Sequence, residues 1–284
     1  MSQHRYYRHQ TCRDVDRVTG AYPYRQAASS IRLVKSAVDD CIRLPMTNGY
    51  RRQIVSTDAA YLSVALGTSG PGGEHPSYPF NLMAGGMYAI YAAWRSSTAE
   101  HNGTLCLFGV PTGTQITPVV IAALDPVGAR WDYWSLHPVA FWCNQNGSGA
   151  YDFMWSDGRY EHHTGGATYF TLGLNLAAVI ETGIDLRNYV PQEADAVLLY
   201  VDAVNNQDTV RTVKLLRNDG STSVAFWKAT CSDGAPNRYK ISQQDLIRCG
   251  LVGNPCDRQT VLRYIWDGAP NGGLNVYAAG FVAY

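Results

Sequence analysis

The sequence predicts an all-β protein built from one or two β-sandwich, jelly-roll-like modules. Three observations lead there. Glu (five residues) and Lys (four) are scarce while Gly (27) and Tyr (19) are plentiful, which removes helix formers and supplies strand and turn residues. From about Ile54 the chain reads as short apolar runs separated by turn clusters, at a spacing of roughly 8–14 residues that suits a sandwich. Asp-Gly occurs four times, at 157–158, 219–220, 233–234 and 267–268, each time beside strand-like text, as tight turns needing positive φ require.

Taken in order, residues 1–52 read as a basic N-terminal arm. Its first part, HRYYRHQTCRDVDRVTGAYPYR, shows no sustained period and is expected to stay extended or disordered until it meets a partner. Ile31, Val34, Val38, Cys41 and Ile42 then recur near i, i+3, i+4, i+7, with Ser29 or Ser30 as a cap and Pro45 as a stop. That pattern predicts one amphipathic helix over about 30–43. Strands are expected at 52–56, 60–67, 86–94, 104–110, 116–124, 131–143, 150–155, 168–176 and 178–184. The series continues at 196–204, 210–217, 222–228, 261–266 and 274–283. The 68–85 stretch is too rich in Gly and Pro for a strand and reads as a long loop. Ser242 and Asp245 offer a capping pattern that Gly250 ends, so a short helix is expected at 242–249. The Thr164-Gly165-Gly166 turn suggests sandwiches over 53–166 and 167–284, with one large sandwich as the competing arrangement.

Charge is laid out unevenly along a chain with no net charge. Residues 1–52 hold ten basic and four acidic residues, an excess of six positive charges that the remaining 232 residues balance. Neutrality argues against general nucleic-acid binding. No run of 18 apolar residues exists to cross a membrane, and MSQHRYYRHQ lacks the apolar stretch of a secretory signal. Seven scattered cysteines without a CxxC pair fit a reducing compartment. Cys249 and Cys256 could bridge a loop, or serve with the others as small buried hydrophobes.

The segment from Ile184 to Val201 carries the phrase Asp185-Leu186-Arg187-Asn188-Tyr189-Val190-Pro191, then a small-residue link and an apolar strand. This phrase resembles jelly-roll-type modules of bacteriophage virion proteins, and Gly273–Tyr284 looks like the closing strand of such a module. The resemblance covers about the last 115 residues and implies a structural, oligomeric virion component without catalytic residues. A basic arm ahead of a jelly roll is also similar to capsid proteins of small icosahedral viruses. Here the arginines are interleaved with Asp and Tyr, which departs from a genome-packaging arm.

Four constellations are candidates for chemistry. Glu161-His162-His163 cannot place three ligands on one metal from a strand, since alternate residues face opposite ways, and no second ligand set is present. A solvated loop or subunit contact is the better reading, and no metal or cofactor is expected. Trp131, Trp134, Trp142 and Trp155 lie among Asp132, Asp152, Asp157, Asn144 and Asn146, a mixture that could stack and hydrogen-bond a sugar, though core and interface burial compete for such rings. Asp152 and Asp157 could form a glycosidase pair, or simply shape turns. Arg5, Tyr6, Tyr7, Arg8, Arg13, Arg17, Tyr22, Tyr24 and Arg25, with Ile31, Val34 and Val38, are of the types that anchor interfaces.

The expectation is therefore a non-enzymatic virion structural protein of a tailed bacteriophage, capsid-associated, collar or fibre-like. Its partners would be copies of itself, with trimers expected for a fibre or decoration, and other virion proteins, reached by arm docking. A host-glycan or receptor-binding module is the alternative, and a glycoside-cleaving enzyme a more distant one.

Overall fold

The computed structural model describes residues 21–27, 30–35, 42–47, 51–54, 63–65, 67–78, 86–95, 104–125, 131–144, 152–156, 159–163, 170–186, 189–191, 193–194, 196–218, 223–231, 237–240, 247–248 and 262–282. The described residues form an all-β, sandwich-like protein of several antiparallel sheets with one short helix. None of its described helices is long and apolar enough to cross a membrane. The chain divides into two compact units, Met1–Asp152 and Phe153–Tyr284, so the division falls before the boundary expected at Thr164-Gly165-Gly166.

In the first unit, β1 (Ala21–Ala27), β2 (Ser30–Lys35) and β5 (Ser63–Ala65) form one sheet, and β3 (Ile42–Pro45) pairs with β4 (Arg51–Ile54). A third sheet is centred on β6 (Gly86–Arg95). It pairs with β7 (Thr104–Pro111), and also with β8 (Tyr133–Trp134) and β9 (Ala140–Asn144). The part of the expected arm that is described belongs to the sheets of this unit. Ile31 and Leu33 alternate with less buried neighbours, a period of two, and join Ile42, Leu44, Ile90, Leu107 and Trp142 in one buried cluster. The amphipathic helix expected over about 30–43 is therefore strand at Ser30–Lys35, paired with β1 and β5. Cross-strand pairing and burial of Ile31 and Leu33 outweigh the helical spacing of Ile31 and Val34. Val38 and Cys41 lie outside the described residues.

Two further expectations in this unit also change. The 116–124 run is not a strand: Pro118–Ala123 forms α1, with Thr117 Oγ1 accepting from the Val120 N–H at 3.3 Å and Pro118 opening the first turn. An N-cap followed by proline outweighs the strand propensity of Val-Val-Ile. The single strand expected at 131–143 is broken between β8 and β9. At the break Ser135 is buried, its Oγ accepts from the Ala92 N–H at 3.1 Å, and its own N–H donates to the Ala92 carbonyl. One side chain thus satisfies a ladder position that the interruption would leave open.

The second unit holds two sheets. One follows the order β10 (Asp152–Ser156), β11 (Arg159–His163), β20 (Gly272–Val282), β14 (Ala196–Asn205), β17 (Asn237–Lys240). β12 (Phe170–Leu176) also pairs with β20, and β18 (Ile247–Arg248) with β14. The other runs β13 (Thr182–Ile184), β19 (Leu262–Trp266), β15 (Arg211–Asn218), β16 (Ser223–Cys231). Strict alternation in β19 buries Leu262, Tyr264 and Trp266 on one face. The Trp266 indole N–H then donates to the Leu176 carbonyl at 2.9 Å, tying the two sheets together. The helix expected at 242–249 is corrected by β18, where pairing with Ala196 and Val197 replaces the end of the capped turn. Residues 241–246 lie outside the described set.

Candidate functional site

Much of the expected docking arm falls outside the described residues: Arg5, Tyr6, Tyr7, Arg8, Arg13, Arg17 and Val38, together with the side chains of Tyr22 and Arg25. Of the rest, Tyr24 is 55% exposed on β1, Val34 is half-buried, and Ile31 is buried in the core of its own unit. Ile31 is thus corrected from a docking contact to a packing residue. The tryptophans separate too. Trp142 is wholly buried, and Trp131 is buried with the Arg95 guanidinium 5.4 Å from its ring centre. Neither offers a free face to a sugar, which corrects the stacking expectation for both. Trp134 is half-buried on β8. The side chains of Trp155, Asp152 and Glu161-His162-His163, with Asp157, Cys249 and Cys256, lie outside the described residues.

The long loop expected at 68–85 is organised, where it is described, around Glu74 and His75, two residues the sequence did not single out. Residues Gly67–Tyr78 fold along the free side of β7. There the Gly72 N–H donates to the Leu107 carbonyl at 2.8 Å, the His75 N–H to the Gly109 carbonyl at 3.0 Å, and the Gly109 N–H to the Gly73 carbonyl at 3.0 Å. Gly73 is obligatory, because a Cβ there would sit 1.9 Å from the Thr68 carbonyl oxygen. The Glu74 carboxylate accepts from the Gly67 N–H at 2.6 Å. His75 has no exposed surface: Nε2 lies 2.7 Å from the Val120 carbonyl of α1, and Nδ1 accepts from the Ser77 N–H at 3.1 Å. With Nδ1 accepting, the proton sits on Nε2 and the ring is neutral. Burial holds its pKa below the usual histidine value, against the raising effect of the Val120 hydrogen bond. Both nitrogens are engaged by backbone, so the imidazole is a structural tie in this conformation. Nearby on β7, burial pushes the Cys106 thiol up to about 12, which keeps it protonated and unreactive.

The second unit carries an exposed apolar segment. From Thr171 to Ile180 the chain has no charged residue, and Leu174, Val179 and Ile180 are 55%, 49% and 72% exposed. The exposure is built in by local geometry. In the β12–β20 register Gly173 faces Val276 while Leu176 faces Leu274, so Leu174 and Asn175 bulge outward. Asn175 takes a positive φ of 52°, its N–H donating to Asn275 Oδ1 at 2.8 Å. Further on, the Ala178 carbonyl accepts from the Trp266 N–H at 3.0 Å and the Ala178 N–H donates to the Tyr264 hydroxyl at 3.3 Å. These bonds fix the segment with Val179 and Ile180 exposed. Its sequence signal is the uncharged run itself, which spans two of the expected strands, 168–176 and 178–184.

One sheet of the same unit has basic strands. Strands β13, β19, β15 and β16 carry Arg211, Lys214, Arg217, Lys228 and Arg263 and no acidic residue. Arg263 is paired with Glu181 at 2.6 Å. Lys214 and Lys228 are exposed and directly opposite in register, an arrangement that opposes sheet formation. Among the described residues no group of His, Cys, Asp and Glu is placed to hold a metal ion. No protein-family model and no curated protein matches the chain. The geometry therefore offers contact chemistry: an exposed apolar segment and a basic sheet.

Proposed function

We propose that the chain is a structural component of a virus particle, of tailed-bacteriophage capsid-associated, collar or fibre type, acting by assembly and without catalysis. The exposed segment Leu174–Ile180 carries this reading. Full burial of such a side chain is worth roughly 1.5–3 kcal/mol, so three exposed together favour covering by a partner. Interfaces between identical subunits are the more apolar kind and are depleted in charge at their centre, which favours a second copy as the occupant. The Lys214–Lys228 pair supplies a charged surface for a neighbouring acidic protein. The family-like phrase adds support. Within it the Tyr189 and Val190 N–H groups donate to the Leu186 carbonyl, and Leu186, Val190 and Pro191 are buried ahead of β14.

Mass spectrometry of particles purified from the host that carries the gene tests the reading. Peptides of this chain in fixed ratio to the other particle proteins are expected. Their absence from particles, with the chain present in the remaining lysate, overturns it.

A further inference from the structure

We propose that His75 is an acid-sensitive latch that keeps the outer edge of β7 covered, and that its protonation releases the glycine-rich loop from that edge. The cover consists of the three backbone hydrogen bonds between residues 72–75 and Leu107–Gly109, in which Glu74 and Gly109 form a parallel bridge. His75 fastens it at one end. Its ring lies 5.3 Å from that of Tyr78 and 6.1 Å from that of Phe108, and its Nε2 holds the Val120 carbonyl.

The weakness of the latch is at Nδ1. A proton placed there would point at the Ser77 N–H, turning a hydrogen bond into a donor–donor clash in an apolar cage. The elements around the ring bring little to offset the new charge. On the loop, the titratable groups are Glu74, whose carboxylate is engaged by the Gly67 N–H, and Tyr78. β7 contributes only Cys106, whose thiol stays protonated, and α1 has no ionisable side chain, with Asp125 following it. The cheapest response to protonation is movement of the loop, since burial of the charge is costly. Release would bare the Leu107 carbonyl and both polar groups of Gly109 on a strand of apolar sequence, LCLFGV, the kind of edge that pairs with another strand.

Site-resolved hydrogen exchange of the full chain between pH 7.5 and 4.5, corrected for intrinsic rates, tests this beside histidine NMR. Protection at Gly72, His75 and Gly109 should fall at least tenfold as His75 takes up its proton, while the Val139 amide, bonded to the Ile90 carbonyl, stays protected. His75→Gln keeps one donor and one acceptor but cannot titrate, so its loop should stay protected throughout. Release in that variant at the same pH would overturn the proposal. Should the variant not fold, the wild-type chain decides alone: loss of protection with His75 still neutral, or a protonated His75 with the loop still protected, refutes the latch.

Discussion

Asn205 and Cys231 are joined by a buried hydrogen bond, the side-chain Nδ2 of one donating to the carbonyl of the other at 3.3 Å, where β14 and β16 end. Asn205 is wholly buried. Its Nδ2 also donates to the Thr209 carbonyl at 2.8 Å, and its Oδ1 accepts from the Asn271 N–H at 3.0 Å. One amide side chain thus fastens two sheets and the turn before β20. Asn205→Ala leaves these groups without their partner and should lower stability by roughly 2–4 kcal/mol. Denaturant unfolding of the intact chain measures it, and a loss below about 0.5 kcal/mol would contradict the clamp.

Truncation separates an appended arm from an integral one. Removing residues 1–50 deletes β1, β2 and β3 and takes Ile31, Leu33, Ile42 and Leu44 out of the core. The first unit should then lose cooperative unfolding, whereas removal of residues 1–20 retains every described strand and should preserve it. Leu44→Ala alone should cost about 2–5 kcal/mol, as a buried leucine deletion does. Near-ultraviolet circular dichroism and calorimetry distinguish these cases. A folded first unit after the longer deletion would restore the idea of a detachable arm.

The stability of the first unit should depend on pH through His75. Its folded pKa lies below the ordinary value near 6.5, so the unfolded chain binds the extra proton first. The stabilisation is complete above pH 6.5 and declines as pH falls toward the folded value. Subtracting the profile of His75→Gln from that of the wild type isolates this slope, since other groups contribute to both. Equal profiles between pH 7.5 and 4.5 would show that His75 is not strained by protonation.

Gly73→Ala should unseat the loop, because its new methyl would meet the Thr68 carbonyl at 1.9 Å. The expected result is faster exchange at His75 and Gly109 and a stability loss of about 1–3 kcal/mol. Unchanged protection would mean that the loop accommodates a side chain there.

The all-β class and most strands of the second unit were legible because alternation and turn residues agreed, as in Leu262–Trp266 followed by Asp267-Gly268. Asp267 Oδ1 does accept from the Thr212 N–H at 2.9 Å, but Gly268 does not take the positive φ expected of a tight Asp-Gly turn, so the side-chain bond and not glycine's conformational freedom shapes this bend. Misreadings arose where two periodicities competed in one stretch. Ile31 serves both an Ile31–Leu33 alternation and an Ile31–Val34 helical spacing, and only pairing with β1 and β5 decides between them. At Thr117-Pro118 the capping chemistry was present in the sequence but masked by three β-branched residues. The candidate surface was hardest to read. Exposure of Leu174 depends on the bulge at Asn175 and its bond to Asn275, a hundred residues away.

The mass of the intact chain in solution, wild type against Leu174→Ser/Val179→Ser/Ile180→Ser, tests assembly through this segment most directly. An oligomer is expected for the wild type and a folded monomer for the variant, since only exposed side chains are changed. A monomeric wild type, or a variant that assembles as the wild type does, would contradict it.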